Sequence, residues 1–320
     1  MAMPRRPSNT GSRPASAVQS LELIVTPLHR AAPASLPALG CVTVPTEPHD
    51  SQVWSEPPAN GDDRGSSSAD QSMDASQFSS MPRVGAAPIP RNYWRWYVLS
   101  QLRAAISRAL VAAGSGPGKR VVELGCGNRP YEAAVLATGA AYEGADLKGN
   151  AHNDRVIGDD GRVEVEDGYY DLVVSAQVLE HVPDPKAYLA ESLRLLKPDG
   201  CLILSTHGTW PYHPEPNDYW RWTATGLRKT LEDSGFVVEG FEGLVGLIPA
   251  GLHLIQDHLY KRLAMSKRWY GKSFVWLMQG LIAAADRLHG ADGRARDGMI
   301  YVVRARPAPR QPGGSASPGR

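Results

Sequence analysis

Residues 121–130, VVELGCGNRP, decide the fold class of this chain. An apolar run typical of a buried strand leads directly into Gly125-Cys126-Gly127, and a helical pattern follows. Glycines at such a turn let backbone amides approach a ligand closely, and the N-terminus of the following helix favours an anionic group. A lone Gly-x-Gly pair also suits a plain tight turn, so the turn alone does not identify a ligand.

Strands and helices alternate along the rest of the chain. Apolar runs predict strands at 120–124, 141–146, 156–158, 170–175, 201–206, 236–241 and 299–304. Helical periodicity predicts helices at 92–113, 131–138, 185–196 and 223–234, and a long helical region at 244–288. This alternation predicts an α/β fold in which helices cover both faces of a parallel sheet.

The two ends of the chain differ from this middle part. Residues 1–82 and 306–320 are rich in Ser, Pro and Gly, and we expect disorder there because such tails bury too little apolar surface to offset their ordering entropy. Residues 1–82 are interpreted either as a regulatory tail or as untranslated sequence ahead of a start at Met81. The domain between the tails is predicted to span 83–305, with a helical insert at about 244–297.

The composition excludes several classes of protein. The 34 Lys and Arg balance 33 Asp and Glu, so no nucleic-acid partner is expected, since such domains are strongly basic. Cys41, Cys126 and Cys201 are too few for a disulfide framework and too scattered for a zinc site. No apolar run reaches the roughly 20 residues of a transmembrane helix. The first arginines precede no signal-peptide core, and we expect a cytoplasmic protein.

Carboxylates follow the next two predicted strands. Asp146 comes about 20 residues after the glycines, where a carboxylate accepts hydrogen bonds from two ribose hydroxyls. A nicotinamide-dependent enzyme shows the same feature. Asp159 follows the third strand and is predicted to accept a hydrogen bond from an adenine amine. Helix capping by Asp146, and simple turn roles for Asp159 and Asp160, are the alternatives.

Further motifs stand in a fixed order after these carboxylates. They are the segment 170–182, YDLVVSAQVLEHV, its spacing from Gly158-Asp159, and the segment 195–201, LLKPDGC. With the Glu/Asp-x-Gly-x-Gly signature at 123–127, they make the chain resemble the class I S-adenosylmethionine-dependent methyltransferases, particularly the broad bacterial group (methyltransferase type 11-like) with an L-E-H-V segment after strand four. The resemblance covers roughly 121–236. NRPY at 128–131 replaces the usual third glycine.

The resemblance implies a Rossmann-like, doubly wound, mostly parallel seven-stranded sheet with helices on both faces. It implies S-adenosylmethionine as the methyl donor. Glu123, Gly125 and Gly127 are expected at the methionine moiety, and Asp146 at the ribose. Asp159 and the Asp160 amide are expected at the adenine, and Ala176 and Gln177 beneath the sulfonium. Leu147 and Cys126 are expected beside them, with Cys126 as a small packing residue rather than a reactive thiol.

Three histidines are candidates for the general base that an alcohol or phenol acceptor needs. His181 lies in the turn after strand four, where a structural role is the alternative. His207 and His213 lie in the aromatic-rich segment 205–222 after strand five. Its rings are predicted to stack on a sugar or aromatic acceptor, or else to form a Pro-stiffened minicore. A metal site of His207, His213 and Asp218 would lack a short ligand spacing, so no metal is expected.

Two other segments allow two interpretations each. Residues 93–97 either fold over the site as a lid or begin a helix that packs against the sheet. The helical region 244–288 surrounds the basic stretch 261–268, KRLAMSKR. It is interpreted either as a peripheral membrane contact, which would suit a lipid-linked glycan acceptor, or as a core-packing or dimerisation element.

The sequence thus predicts an enzyme that methylates a small molecule. The leading acceptor is a hydroxyl of a sugar or glycan precursor or of a natural product. A C- or N-methyltransferase of a quinone-like metabolite is the alternative among such enzymes. A non-catalytic S-adenosylmethionine-binding partner protein, or a nicotinamide dehydrogenase, would share parts of the pattern.

Overall fold

A computed structural model describes residues 88–214 and 217–309, which form a seven-stranded sheet flanked by helices. The strands are β1 (Arg120–Leu124), β2 (Ala141–Leu147), β3 (Arg155–Ile157), β4 (Tyr170–Ala176), β5 (Leu196–His207), β6 (Phe236–Leu244) and β7 (Ile300–Pro307). Their order is β3-β2-β1-β4-β5-β7-β6, and β7 is antiparallel to both of its neighbours. The predicted α/β, doubly wound and mostly parallel sheet is therefore confirmed.

The helices are α1 (Trp96–Ala112), α2 (Glu132–Leu136), α3 (Pro185–Leu195), α4 (Ala224–Asp233), α5 (Leu247–Arg262), α6 (Gly271–Asp286) and α7 (Ala291–Asp297). Short 3₁₀ turns occur at Leu179–His181 and Met265–Lys267. None of the helices in the described residues is both long and apolar enough to cross a membrane. The predicted tail at 1–82 lies outside the described residues, and β7 continues to Pro307, two residues into the predicted C-terminal tail.

Side chains of the central strands enter two apolar cores, one on each face of the sheet. Val121 and Leu172 pack with α1 on one face, whereas Val122 and Val173 pack with α3 and α4 on the other. Burial on both faces explains why these strands carry almost continuous apolar runs. The strand order reverses between β1 and β4, which opens a crevice beyond their carboxyl ends.

The start of β5 is less regular than the sequence predicts. Tyr170 pairs with Leu196, but Leu172 pairs with Cys201, so residues 197–200 leave the ladder between these points. A Cβ atom on Gly200 would lie 2.9 Å from the Lys197 carbonyl oxygen, which accounts for the glycine in this tight turn. Regular pairing resumes at the predicted start of the strand.

The helical insert is divided into three helices rather than being one continuous region. Ala264 has a left-handed φ of 45° after the end of α5. A Cβ atom on Gly271 would lie only 1.9 Å from the Met265 carbonyl oxygen, so the chain reverses closely here. This reversal packs α5 against α6.

The beginning of α4 depends on Thr223. Its hydroxyl accepts a hydrogen bond from the Gly226 amide at 3.0 Å. In Thr223→Ala that amide loses its partner, so we expect the free energy of unfolding to fall by about 1 kcal/mol and Tm to fall by about 2–4 °C. Thermal denaturation followed by circular dichroism measures both. Thr223→Ser keeps the hydroxyl and serves as the matched control; identical melting of all three proteins would contradict the capping role.

Candidate cofactor and acceptor cleft

A cleft of about 1020 Å³ opens beyond the carboxyl ends of β1 and β4. This volume is at the upper end of small-molecule sites, so it has room for a cofactor together with a small acceptor. Its lining includes every predicted site residue except Glu123, namely Gly125, Cys126, Gly127, Asp146, Leu147, Asp159, Asp160, Ala176, Gln177, His181, His207 and His213.

The glycine turn keeps one wall of the cleft open. Gly125 and Gly127 have φ of 69° and 48°, which side chains rarely adopt. A Cβ atom on Gly125 would lie 2.6 Å from Val178 Cγ2, whereas one on Gly127 would project into open space. The amides of Gly125 and Cys126 donate to the Ala145 carbonyl, so they fix the turn to β2 instead of facing a ligand. A ligand can therefore approach the backbone closely because the two glycines have no side chains, and not because the amides of Gly125 and Cys126 are available to bind it.

Asp146 connects this turn to the end of β2. One of its carboxylate oxygens accepts from the Gly127 amide and from Asn150 Nδ2, each at 2.7 Å. The other accepts from the Leu147 amide, also at 2.7 Å. A carboxylate has about four acceptor positions, so one remains for a ribose hydroxyl. This geometry leaves room for one of the two predicted ribose hydroxyls, and the ribose contact itself stays a prediction.

Arg129 stands where the two-residue spacing of Gly125 and Gly127 would put a third glycine. It has a left-handed φ of 57°. Its guanidinium forms ion pairs with Asp154 at 2.9 Å and Glu132 at 3.2 Å, and it is not part of the cleft lining. The turn thus keeps a left-handed conformation without the glycine.

Glu123 differs from the other predicted site residues. It was expected to line the methionine end, but its buried carboxyl group lies outside the cleft and accepts from the Tyr142 hydroxyl at 2.7 Å. Burial raises the pKa of this carboxyl group to about 8, against the opposing effect of hydrogen bonds from Tyr142 and the Tyr131 backbone. The Glu123 side chain therefore supports the glycine turn from the interior of the protein.

The remaining predicted cofactor residues lie at the edges of the same cleft. Asp159 is exposed, and Asp160 accepts from the Arg162 amide at 3.0 Å, which stabilises the turn after β3. Gln177 has a left-handed φ of 60° directly after β4, and its Nε2 donates to Ser205 Oγ at 3.1 Å. Burial raises the pKa of the Cys126 thiol to about 12, which agrees with a packing role.

The structure brings the three candidate histidines together at the other end of the cleft. The ring centroid of His213 lies 5.7 Å from that of His181 and 6.0 Å from that of His207. The sequence places these residues in two separate segments, and their convergence depends on the loop after β5 folding back over the turn after β4. His181 Nδ1 contacts the Asn217 carbonyl oxygen, which fixes this loop to the turn.

Glu180 is a buried residue that the sequence analysis missed. The Thr206 hydroxyl donates to its Oε2 at 2.8 Å, and its Oε1 lies 3.1 Å from His207 Nδ1, although the two atoms are not aligned for a hydrogen bond. Burial raises the pKa of Glu180 to about 7 and lowers that of His207 well below its usual value. Near neutral pH the His207 imidazole is therefore uncharged, whereas the Glu180 carboxyl group is close to half-ionised.

Rings and a guanidinium close the cleft on the side of α1. Trp210 stacks on His207 with a centroid distance of 4.4 Å, and the guanidinium of Arg95 lies 5.1 Å from the Trp210 centroid. Arg95 also lies 4.2 Å over Trp94, which stacks on Tyr260 of the insert. Arg95 lines the cleft, although the sequence analysis did not name it as a site residue. Its sequence context, an arginine between two tryptophans, fits a lid over the site and the start of a packed helix equally well.

The loop after β5 is held by its own polar contacts. Its Tyr219 and Trp220 amides donate to the Glu180 carbonyl, and Arg221 pairs with Asp218. Trp220 also stacks on Trp222, but Tyr219 and Trp220 are 50% and 39% exposed, so these contacts order the loop without burying its rings in a minicore. No cluster of side chains suited to a metal ion is present among the described residues.

Comparison with known proteins gives one family match. Residues 93–239, just under half of the chain, match a family model described as a methyltransferase domain. A ubiquinone biosynthesis O-methyltransferase of Bordetella avium is 30% identical over 175 residues, covering 50% of this chain and 64% of the relative. One of the same description from Xanthomonas campestris is 31% identical over 157 residues, covering 45% and 57%.

The chain spans less than two thirds of the length of these curated relatives. Among solved structures, an S-adenosylmethionine-dependent methyltransferase of Mesorhizobium loti aligns with a TM-score of 0.39 at 18% identity, covering 67% of this chain and 97% of that one.

The raised pKa of Glu123 predicts a pH-dependent stability. Between its unfolded value of 4.5 and its folded value of about 8, folding requires proton uptake, so this group's contribution is lost as pH rises. The stability of the parent relative to Glu123→Gln should fall by about 1.4 kcal/mol per pH unit between pH 5 and 8. Urea denaturation at several pH values measures this difference, and a pH-independent difference would contradict the assignment.

The left-handed backbone of Arg129 predicts that glycine and valine at this position affect ligand binding differently. Glycine adopts the φ of 57° without the cost of about 1–2 kcal/mol that other residues carry, and the ion pairs lost are partly exposed. We therefore expect Arg129→Gly to bind S-adenosylhomocysteine within about twofold of the parent, and Arg129→Val to bind more weakly. Calorimetric titration measures both, and parent-like affinity of the valine variant would refute a backbone requirement.

Proposed function

We propose that this chain, which contains a class I S-adenosylmethionine-dependent methyltransferase domain, methylates a hydroxyl group of a small aromatic acceptor. The observation that carries the proposal is the division of one cleft into two ends. The glycine turn, Asp146 and Asp159 line one end, and three histidines converge at the other. Such an arrangement suits a methyl donor beside an acceptor that must lose a proton.

The first end fits the cofactor by its shape and its chemistry. The open space at Gly127 and the remaining acceptor position of Asp146 suit the polar, cationic donor. When bound, S-adenosylmethionine supplies an activated methyl group on a sulfonium. The chain's own residues then have to place the acceptor and exclude water.

His207 is the residue that we assign as general base. Its Nδ1 faces Glu180, so Nε2 is the nitrogen available to an acceptor hydroxyl. When Nε2 accepts the proton of the acceptor hydroxyl, the Glu180 carboxylate beside Nδ1, which is partly ionised near neutral pH because its pKa is about 7, stabilises the positive charge of the imidazolium. His181 and His213 flank this pair and are placed to orient the acceptor.

The low pKa of His207 favours a phenolic acceptor over a sugar. A buried imidazole with a depressed pKa is a weak base, and a phenol with a pKa of about 10 loses its proton far more easily than an alcohol does. The imidazole ring of His207 and the guanidinium of Arg95 already contact the Trp210 ring, so this ring is less suited to stack on a sugar. The names of the quinone-pathway relatives agree with an aromatic hydroxyl, so the quinone-like class replaces the sugar as the leading acceptor.

The proposal predicts separate effects at the two ends of the cleft. We expect Asp146→Ala to abolish titratable binding of S-adenosylmethionine and S-adenosylhomocysteine. We expect His207→Ala to keep that binding and to lower kcat by about 10²–10⁴-fold, because it removes a general base. Turnover is measured by mass spectrometry with catechol-type acceptors and, in parallel, with free and nucleotide-linked sugars.

His258→Ala, on an exposed position of α5, is the matched control and should turn over like the parent. Methylation of sugars but not of catechols would refute the aromatic acceptor. Cofactor binding without turnover of either class would favour the non-catalytic partner protein, and binding of NAD alone would refute the methyltransferase function.

A further inference from the structure

One surface of the helical insert is apolar although it faces away from the core. It consists of α6 and the connection before it, and we call it the α6 surface. Its side chains Trp269, Trp276, Leu277 and Leu281 are 92%, 57%, 56% and 48% exposed. Single exposed apolar residues are normal, but two tryptophans and two leucines on one short segment mark an interaction site.

The helical repeat separates this surface clearly from the packed face of α6. The buried positions are Gly271, Val275, Gln279, Ile282 and Asp286. Trp276, Leu277, Gly280, Leu281 and Ala284 are exposed on another side of the helix. A solvent-facing side would be expected to carry charged residues. Instead, both sides of this helix are largely apolar, so its exposed side lacks the charged residues that are typical of a solvent-facing helix.

The charge around the α6 surface is mainly positive, although Lys261 forms an ion pair with Asp257 at 3.0 Å. Residues 258–285 contain no Asp or Glu and five basic residues, namely Lys261, Arg262, Lys267, Arg268 and Lys272. All five are exposed. The whole chain has a net charge of only +1, so positive charge is concentrated beside the exposed tryptophans.

We propose that the α6 surface docks on the face of a bilayer that contains anionic phospholipids. Tryptophan side chains favour the boundary between headgroups and acyl chains, and basic residues beside them are attracted to anionic headgroups. Trp269 at the tip and Trp276 one to two turns into α6 insert their rings, while Lys267, Arg268 and Lys272 contact phosphates. The helix lies on the bilayer, since no described helix is suited to cross one.

The same charges argue against a second copy of this chain as the occupant. A two-fold contact would place each α6 surface against its equal, and the five basic residues of one copy would face those of the other. Like charges brought together in this way oppose association. An anionic bilayer neutralises the same charges.

The insert is also fixed to the wall of the cleft. The Trp94 carbonyl accepts from Gln256 of α5 and from Gln279 of α6, and the Tyr97 hydroxyl donates to Asp286 of α6. Trp94 is next to Arg95, which lines the cleft. A docked α6 surface would therefore hold the acceptor end of the cleft in a fixed relation to the bilayer, where apolar aromatic compounds partition.

Vesicle flotation of the full chain tests the proposal. We expect it to float with phosphatidylcholine vesicles that contain phosphatidylglycerol and not with phosphatidylcholine alone. Raising the salt from 0.1 M to 1 M should release it, because the screening length falls from about 10 Å to about 3 Å. Neutralising Lys267, Arg268 and Lys272 to Gln should lower the partition coefficient about 100-fold, at roughly fivefold for each charge. Trp269→Ser should lower it about tenfold or more.

Lys229→Gln on α4 and Val111→Ser on α1 change equally exposed positions elsewhere and should float like the parent. Absence of flotation with anionic vesicles would overturn the proposal, as would flotation of the triple variant at parent level. A dimer in solution that is lost in Trp269→Ser, without vesicle binding, would assign the surface to a second copy instead. The assay needs neither methyl donor nor acceptor, so its outcome is independent of the proposed reaction.

Discussion

A single buried residue, Glu180, connects the segments that carry the three histidines of the cleft. Its side chain joins the end of β5 through Thr206, and its carbonyl accepts two amides of the loop that follows. The contact of His181 with the Asn217 carbonyl and the bond from Trp220 Nε1 to the Val182 carbonyl also hold that loop over the turn after β4, where His213 meets His181 and His207. The Thr206 hydroxyl offsets part of the cost of burying the Glu180 carboxyl group, so the side chain and the backbone of this residue together connect the segments that carry the histidines.

The two ends of the cleft differ in their electrostatics for physical reasons. At the cofactor end, Asp146 is surrounded by donors from Gly127, Leu147 and Asn150, which suit an ionised carboxylate. At the acceptor end, burial without strong donors raises the pKa of Glu180 and lowers that of His207. The two carboxyl groups thus differ in burial and in the number of donors around them, although Asp146 near the end of β2 and Glu180 after β4 both lie at the carboxyl edge of the same sheet.

The sequence predicted the fold well because the fold depends on local pattern: apolar runs mark strands that are buried on both faces. The predicted cofactor residues Gly125, Gly127 and Asp146 also come from local pattern, since they lie at or just beyond the ends of β1 and β2, and their contacts with a cofactor stay predictions. The burial of Glu123 outside the cleft lining could not be predicted, because a residue near the end of a strand can face either side of the sheet and the pattern does not indicate which one. The pairing of Glu180 with His207, and the place of Arg95 in the wall, depend on contacts between distant segments, which periodicity does not encode.

The position of β7 has a consequence for how this architecture can vary. Leu244 at the end of β6 pairs with Ile300 at the start of β7, so the chain leaves the sheet for the insert and returns at the same point. The entropy of closing such a connection grows only slowly with its length, and the two strands would pair as well around a short turn. The length and sequence of the insert can therefore change without changing the pairing of β6 with β7. Relatives with a longer, shorter or different insert could keep the same sheet, but each such change would reach the wall of the cleft beside Arg95 through the bonds of Gln256 and Gln279 to the Trp94 carbonyl.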